Sequence, residues 1–147
     1  LEFKKIQVQV HRPSILPRMR ADAELLQQAF INLFANSIYM LAPGGSINIR
    51  IEPRASDGGA PPAVRVYFED NGEGIPQENL SRVFDPFFTT KDIGEGSGLG
   101  LSVVLGIIKD HGGDIRVESE LGQFCRFVID LPGPVERSTT HPAMAAL

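Results

Sequence analysis

The chain has 147 residues, of which 42% are hydrophobic and 22% are charged, and its formal net charge is −4. This length predicts one domain with a single core, and a lone cysteine excludes a disulfide framework or a cysteine-rich zinc site. No apolar run approaches the roughly 20 residues of a membrane-spanning helix, and the acidic excess disfavours sequence-independent binding of nucleic acid.

The chain opens with a predicted strand and a long predicted helix. Apolar and polar residues alternate over residues 6–10, which is typical of a half-buried strand. Asp22 predicts a helix N-cap, and apolar residues then recur at helical spacing as far as Leu41. Residues 43–45 are Pro-Gly-Gly, so we expect the helix to end there.

Two strands and a short helix are predicted next. Residues 46–52 and 63–69 have the composition of neighbouring strands, and the connection over 53–62 predicts a mobile tip. Pro76 suits the first turn of a helix, which favours a short helix over residues 76–83.

The second half of the chain predicts a long loop, a helix and a terminal hairpin. Residues 84–98 lack periodicity, whereas 99–111 have a strong helical pattern closed by two glycines. Residues 114–119 and 124–131 alternate as paired strands. This order predicts an α+β fold, with helices on one face of a mixed, mostly antiparallel sheet.

Three polar side chains share one face of the long predicted helix. Gln28, Asn32 and Asn36 are spaced four residues apart. Asparagine is unfavourable inside a helix, so two of them suggest an external task such as holding a hard cation through side-chain oxygens. A solvated polar stripe is the alternative interpretation.

A second candidate motif follows the predicted strand over residues 63–69. The glycines of Asp70-Asn71-Gly72-Glu73-Gly74 allow a sharp turn and close approach to a planar ligand. The Asp70 carboxylate could accept a hydrogen bond from an exocyclic amine. An ordinary Asp-Gly turn would give the same string.

A glycine-rich loop that leads directly into a helix is the third candidate. Residues 95–101 would present free backbone N–H groups and the positive end of the helix dipole, which favour phosphate. A flexible connection that caps the helix is the alternative. Before it, Phe84 and one further phenylalanine are expected to pack in the core, leaving Lys91 as a point charge for a terminal phosphate.

Taken in order, these motifs closely resemble the catalytic domain of sensor histidine kinases, in the gyrase, Hsp90, histidine kinase and MutL superfamily. The matching residues are Asn32 and Asn36, Asp70-x-Gly72-x-Gly74, Phe84-x-x-Phe87-Phe88 and Gly96-x-Gly98-x-Gly100. The resemblance covers residues 6–132, and the combination is far more specific than any single motif. Thr89-Thr90-Lys91 is most similar to the nitrogen-regulation type of sensor kinase.

The resemblance implies a Bergerat-type two-layer α/β sandwich that binds ATP with Mg²⁺ beneath a lid over residues 86–97. Asp70 would read the adenine amino group, and Asn36 would be the Mg²⁺ ligand with Asn32 assisting. Catalytic roles are implied for Asn32 and Lys91. The implied nucleotide-binding residues are Asn36, Asp70, Gly72, Gly74, Ile75, Phe87, Thr90, Lys91, Gly96, Gly98, Leu99 and Gly100.

The resemblance also implies a protein-histidine kinase rather than an ATPase. Hydrolysing branches of the superfamily carry a glutamate base where this chain has Asn32, and an amide does not accept a proton at neutral pH. The histidines do not fit the acceptor role, and His111 is predicted to cap a helix. We therefore expect 1–5 to be a remnant of the connection to an upstream dimerisation domain, 6–132 the catalytic domain and 133–147 a disordered tail.

The implied partners are the histidine-containing dimerisation domain of the same parent protein and a response regulator receiver domain, with no nucleic acid. We expect this fragment to be a cytoplasmic monomer and the parent a homodimer, with or without a membrane anchor. The alternative is a regulatory module that binds ATP without transferring phosphate. Phe124 favours that alternative, because it replaces a glycine of the family's last motif, whereas the retained Asp70 and Asn36 oppose it.

Two further residues are interpreted by position. Ser37-Ile38-Tyr39 follows Asn36 without the Lys or Arg that many relatives place there, which shifts phosphate neutralisation toward Mg²⁺ and Lys91. Cys125 lies in a strand pattern and is interpreted as a packing residue.

Overall fold

The computed structural model of the chain describes residues 4–54, 63–88 and 100–133. Within these ranges the chain forms five strands, two α-helices and a short 3₁₀ helix. In chain order they are β1 (Gln7–His11), α1 (Ala23–Met40), β2 (Ser46–Arg54), β3 (Ala63–Asp70), the 3₁₀ helix (Gln77–Asn79), α2 (Gly100–Asp110), β4 (Asp114–Glu120) and β5 (Phe124–Pro132).

The strands form one mixed sheet in the order β1-β2-β3-β5-β4. β1 is parallel to β2. A parallel pair needs a long connection between its strands, and α1 provides it by returning the chain to the end of the sheet at which β1 begins. The remaining neighbours are antiparallel. The predicted α+β class is confirmed, including the mostly antiparallel sheet.

α1 begins where its sequence predicts. The Asp22 carboxylate accepts hydrogen bonds from the backbone N–H groups of Glu24 and Leu25 at 3.0 and 3.1 Å. This N-cap satisfies donors that have no partner inside the helix. Ala29 and Leu33 are fully buried on the face that packs against the core.

The other end of α1 is held by the segment before β1. The ammonium group of Lys4 donates to the carbonyls of Ile38 and Tyr39 at 2.9 and 3.3 Å. A cation at this end favours the helix dipole, and it occupies carbonyls that the helix leaves free. Lys4 therefore links the segment before β1 to the C-terminal end of α1.

The core lies between one face of the sheet and both helices. Phe68 on β3 pairs with Ile49 on β2 and with Phe127 on β5. Residues at alternate strand positions point to the same side, so this face carries continuous apolar rows. Val104 and Ile108 of α2 belong to the same buried cluster as α1 and these strands. Both helices therefore cover one face, as predicted.

Ion pairs cover the opposite face of the sheet. The Arg126 guanidinium lies between Glu69 and Glu118, with nitrogen–oxygen distances of 2.6 and 3.0 Å. Arg65 donates to Asp130 at 2.7 Å. These partly exposed pairs contribute little stability individually, but they make this face polar and separate it from the core.

The short helix predicted over residues 76–83 is confirmed in part, because it is of the 3₁₀ type and covers only Gln77–Asn79. The structure has a 3₁₀ helix followed by turns, whose backbone bonds reach back three residues, as from the Arg82 N–H to the Asn79 carbonyl at 2.9 Å. So short a segment forms too few bonds to offset the entropy of nucleating an α-helix. Buried Val83 holds these turns on the core.

His111 joins the two helices at the end of the molecule opposite to Asp70. Its Nδ1 lies 2.7 Å from the Ile107 carbonyl, and its Nε2 accepts a hydrogen bond from the Asp22 backbone N–H at 3.0 Å. A neutral ring protonated on Nδ1 satisfies both contacts. The predicted cap on α2 is confirmed, and the same ring also holds the start of α1.

Some predictions concern residues outside the described ranges. They are the mobile tip (residues 55–62), the lid (residue 89 onward), the first three residues of the connection and the tail from residue 134. Among the described residues, neither helix combines the length and hydropathy needed to cross a bilayer.

Candidate functional site

The predicted site residues that the structure describes gather at one end of the sheet. Asp70 is the last residue of β3 and pairs with Ile47 at the start of β2 and Cys125 at the start of β5. The second half of α1 lies over this end, and α2 begins beside it at Gly100. The site is therefore bounded by both helices, the loop after β3 and the β4–β5 turn.

Asp70 is an almost fully buried carboxylate, with 2% of its surface exposed. Its Oδ2 accepts a hydrogen bond from the Ser37 hydroxyl at 2.6 Å, and its Oδ1 accepts one from the Gly72 N–H at 2.9 Å. Burial raises the pKa of the Asp70 carboxyl above its ordinary value, and these two donors oppose that rise. Each oxygen keeps a further lone pair for a ligand.

Ser37 is the partner that sequence reasoning missed. It falls four residues after Leu33, on the helix stripe that enters the core, and it is fully buried. A hydroxyl at a core position needs a hydrogen-bonding partner, and that was the available signal. The partner's identity depends on how α1 packs over β3, which local spacing does not reveal.

The loop after Asp70 is shaped by two glycines. A Cβ on Gly72 would lie 2.9 Å from the Asp70 Oδ1 and 3.1 Å from the Met40 carbonyl oxygen. Gly74 has φ +74°, and a Cβ there would lie 2.5 Å from the Glu120 carbonyl oxygen. Gly72 lets the backbone approach the carboxylate, and Gly74 lets the loop touch the β4–β5 turn.

Hydrogen bonds fasten this loop to the end of the β4–β5 hairpin. The Gly122 N–H donates to the Glu73 carbonyl at 2.7 Å, and the Ile75 N–H donates to the Ser119 hydroxyl at 2.7 Å. That hydroxyl in turn donates to the Phe124 carbonyl at 2.7 Å. The loop and the hairpin therefore form one rigid border of the site.

Phe124 does not disturb this border. Its side chain lies on the polar face of the sheet, where the Arg126 guanidinium stacks 4.8 Å from the ring centroid. The neighbouring Cys125 points to the opposite side and lies beside Asp70. The turn before Phe124 keeps its backbone contact with the loop, since the Gly122 N–H donates to the Glu73 carbonyl.

Cys125 is a buried packing residue in a strand, as predicted, and it lies beside Asp70. Burial and the charge of Asp70 raise the pKa of its thiol to about 12. The thiol is thus protonated and unreactive at neutral pH.

The two asparagines lie on α1 where it faces the start of α2. The Asn32 Nδ2 donates to the Gly100 carbonyl at 3.4 Å, a long bond that bridges the helices. Asn32 and Asn36 are both half-buried. Groups of three or more His, Cys, Asp or Glu able to hold a metal are absent from the described residues. A hard cation would fit here only through amide oxygens supplemented by ligand oxygens and water.

The phenylalanines at the base of the predicted lid behave differently from one another. Phe84 packs against Phe127 in an edge-to-face contact with centroids 6.2 Å apart. Phe88 is half-buried, and the Arg82 guanidinium lies 4.8 Å from its ring centroid. Phe87 is 73% exposed and has φ +65°, an unusual conformation for an aromatic residue. Packing of Phe84 against the core is therefore confirmed, whereas Phe88 packs against Arg82 and Phe87 points to solvent.

Five predicted site residues lie outside the described ranges. They are Thr90, Lys91, Gly96, Gly98 and Leu99. Gly100 is described as the first residue of α2, and a Cβ there would meet open space. The described part of the candidate site therefore consists of Asp70 with the loop that follows it, the pair Asn32 and Asn36, and the start of α2.

This fold and site define a class of protein. The sequence profile of the histidine kinase-, DNA gyrase B- and HSP90-like ATPases matches residues 21–135, and the chain belongs to this family. Its relatives include sensor kinases, and the chain is an ATP-binding domain of the histidine kinase type.

Sensor kinase CckA of Brucella abortus (strain 2308) is 38% identical over 152 residues, which cover 97% of this chain and 16% of that protein. Sensor histidine kinase ZraS of Escherichia coli O157:H7 is 38% identical, over 91% of this chain and 28% of that protein. The chain thus spans less than a third of the length of these relatives.

Solved structures agree with the fold. The nucleotide-free catalytic domain of histidine kinase ThkA superposes with a TM-score of 0.72 at 34% identity, covering 86% of this chain and 78% of that one. Full-length ShkA in complex with AMPPNP gives a TM-score of 0.72 at 31% identity, covering 88% of this chain and 26% of that one.

Proposed function

We propose that this chain binds Mg-ATP and transfers the γ-phosphoryl group to a histidine on a separate dimerisation domain of its parent protein. The observation that supports this most directly is the buried Asp70 carboxylate, fixed by two donors at the base of a glycine-shaped loop. A buried carboxylate with free lone pairs suits the recognition of an exocyclic amine.

In this proposal the base lies against the loop after β3. Asp70 accepts a hydrogen bond from the adenine amino group, and Gly72, Gly74 and Ile75 border the ring. The phosphates extend toward the start of α2, where backbone N–H groups and the helix dipole favour anions. The residues assigned to the phosphates and the lid are Phe87, Thr90, Lys91, Gly96, Gly98, Leu99 and Gly100.

The asparagines would hold Mg²⁺, with Asn36 as the ligand and Asn32 assisting. The ion would neutralise phosphate charge and orient the phosphate groups. The chain's own contribution is to hold these amides on a capped, well-packed helix. Asn32 carries no base that could activate water, which disfavours hydrolysis.

Transfer requires an acceptor that supplies its own nucleophile. An imidazole nitrogen forms a bond to the γ-phosphorus, the bond from that phosphorus to the bridging oxygen breaks, and ADP leaves with the electron pair. The proton displaced from the imidazole passes to solvent. The catalytic domain then has only to position ATP and stabilise the developing charge.

The same proposal extends to partners and location. We place the acceptor histidine on a domain of the parent protein that precedes this chain, and a response regulator receiver domain downstream. The parent would be a homodimer, this fragment a cytoplasmic monomer, and the subtype that of nitrogen-regulation kinases. Cysteine usage and the Thr89-Thr90-Lys91 sequence support these assignments.

The experiment is incubation of the chain with γ-labelled ATP, Mg²⁺ and the dimerisation domain of the parent protein. Acid-labile, base-stable label on the dimerisation domain is the expected result. Asp70→Asn is the matched variant, and it should weaken ATP binding by about 1.5–3 kcal/mol because a charged acceptor is lost. Tight ATP binding without label on the dimerisation domain would establish the non-transferring alternative instead.

A further inference from the structure

Ser37 has a role that family membership alone does not assign. We propose that Ser37 is a positioning residue, which orients the Asp70 carboxylate and holds it in its ionised form for the adenine amine. This inference rests on the proposed function, since it concerns how the same site selects its base. Ser37 itself is a positioning residue because it acts through Asp70.

The geometry of the pair supports this role. Ser37 and Asp70 are both buried, and their oxygens lie 2.6 Å apart. A serine hydroxyl has one proton, so a hydroxyl that donates to Asp70 does not donate to a carbonyl of its own helix. With the Gly72 N–H on the other oxygen, the carboxylate is held at both ends and its plane is fixed.

Few other groups act on the carboxylate. Among the described residues, α1 contributes the Ser37 hydroxyl, the loop contributes the Gly72 N–H, β5 contributes the Cys125 thiol, and β3 contributes the neighbouring Glu69. The thiol stays neutral, because burial raises its pKa to about 12. Glu69 raises the pKa of Asp70, whereas the Ser37 hydroxyl lowers it after burial has raised it. Ser37 is therefore the side chain that opposes protonation of this carboxyl.

The test compares ATP with purine riboside triphosphate, which has the same ring system and phosphates but no 6-amino group. The ratio of the two dissociation constants reports the contribution of the 6-amino group. Titration of the phosphates affects both dissociation constants equally, because the two nucleotides carry the same triphosphate. The wild-type chain should prefer ATP by about tenfold or more at neutral pH. Ser37→Ala should lower this preference by about threefold or more at neutral pH. When the pH is reduced, the variant should lose its preference for ATP at a higher pH than the wild-type chain does.

Two further variants separate the hydroxyl from packing. Ser37→Cys fills the same space with a weak donor, so it should behave like Ser37→Ala, and it carries the test if the alanine variant does not fold. Ser14→Ala removes an exposed hydroxyl in the segment between β1 and α1 and leaves the residues around Asp70 unchanged. Its amine preference should depend on pH as in the wild type.

Two negative results are distinguishable. A wild-type chain that binds neither nucleotide contradicts the proposed function. A wild-type chain that prefers ATP, beside folded Ser37 variants with the same preference and the same pH profile, overturns the positioning role alone. The role is likewise overturned if Ser14→Ala shifts the pH profile as much as Ser37→Ala.

Discussion

At the scale of single residues, Asp70 carries a stability cost beside the recognition role proposed for it. Because burial raises its pKa in the folded chain above the value in the unfolded chain, its contribution is favourable at low pH and is lost as the pH rises through the folded pKa. At neutral pH the ionised carboxylate therefore destabilises the nucleotide-free domain. The hydrogen bonds from Ser37 and Gly72 offset only part of the desolvation.

This cost predicts opposite effects of one substitution on stability and binding. Asp70→Asn removes the charge, and its amide could donate to the Ser37 oxygen while its carbonyl accepts from Gly72. The nucleotide-free variant should therefore melt at a higher temperature than wild type at pH about 7, but gain little from Mg-ATP. Scanning calorimetry with and without nucleotide measures both effects.

Asp85→Asn is the control for the change in formal charge, since Asp85 is exposed in the turn before Phe87. Its melting temperature should stay close to that of wild type. A nucleotide-free Asp70→Asn variant that melts below wild type would contradict the stability cost assigned to the buried carboxylate.

At the scale of secondary-structure elements, the two ends of the helix layer are fixed by different means. The end of α1 beside Asp70 is held by Lys4, whereas the other end is held by His111, which contacts both helices. Since Asn32 also bridges α1 to Gly100, the helices are joined near both ends of α2. Their relative position, which sets the width of the proposed phosphate site, depends on these contacts.

The His111 contact predicts a measurable stability effect. His111→Ala leaves the Asp22 N–H and the Ile107 carbonyl without their ring partner, and it should lower the free energy of unfolding by about 1–2 kcal/mol. Urea denaturation followed by circular dichroism measures this. His11→Ala, at an exposed position on β1, is the matched control and should change it by less than about 0.5 kcal/mol. Equal effects of the two substitutions would contradict the role of His111.

Most helices and strands were predictable from sequence, because the spacing of apolar residues along the chain indicates which side chains are buried. α1 and the β4–β5 hairpin show this, since Asp22 caps the helix and Phe127 lies on the alternating apolar row. The turns after Pro76 were not predictable, because short segments are decided by tertiary contacts such as the burial of Val83. The helix-stripe position of Ser37 was visible, but its partner depends on packing between distant elements.

The site was predictable in part for the same reason. Asp70, Gly72 and Gly74 are adjacent in sequence, so their joint role follows from a short motif. Cys125 comes beside Asp70 only through the register of β3 with β5, which no local pattern encodes. The roles of the nucleotide-binding residues stay predictions until nucleotide binding is measured.

At the scale of the whole molecule, the acidic excess is concentrated in the part of the sequence that carries the proposed site. Residues 69–95 contain seven acidic and two basic residues. A polyanionic ligand in that setting needs a positive field from other sources, and the candidates are Mg²⁺, Lys91 and the backbone N–H groups at the start of α2. Nucleotide affinity without divalent cation should accordingly be weak.

Cys125 offers a probe of global unfolding. It is the single cysteine of the chain, is buried in the central sheet beside Asp70 and has a raised thiol pKa of about 12. The native chain should therefore resist a thiol-reactive chromogenic reagent at neutral pH, whereas the urea-unfolded chain should react stoichiometrically. Mg-ATP should slow the residual native reaction further, because a ligand that binds the folded chain lowers the population of the unfolded chain. Rapid labelling of the folded chain would contradict the burial of this thiol.

The position of Phe124 on the polar face of the sheet has a consequence for which substitutions this domain tolerates. Its ring stacks under Arg126 on the polar face, while Cys125, one residue later, borders Asp70. Neighbouring positions on β5 thus have different surroundings: residue 124 contacts the ion pairs of the polar face, and residue 125 contacts the side of the sheet that carries Asp70. A substitution at this end of the hairpin should therefore disturb Asp70 little when it falls on a position that faces the polar side of the sheet.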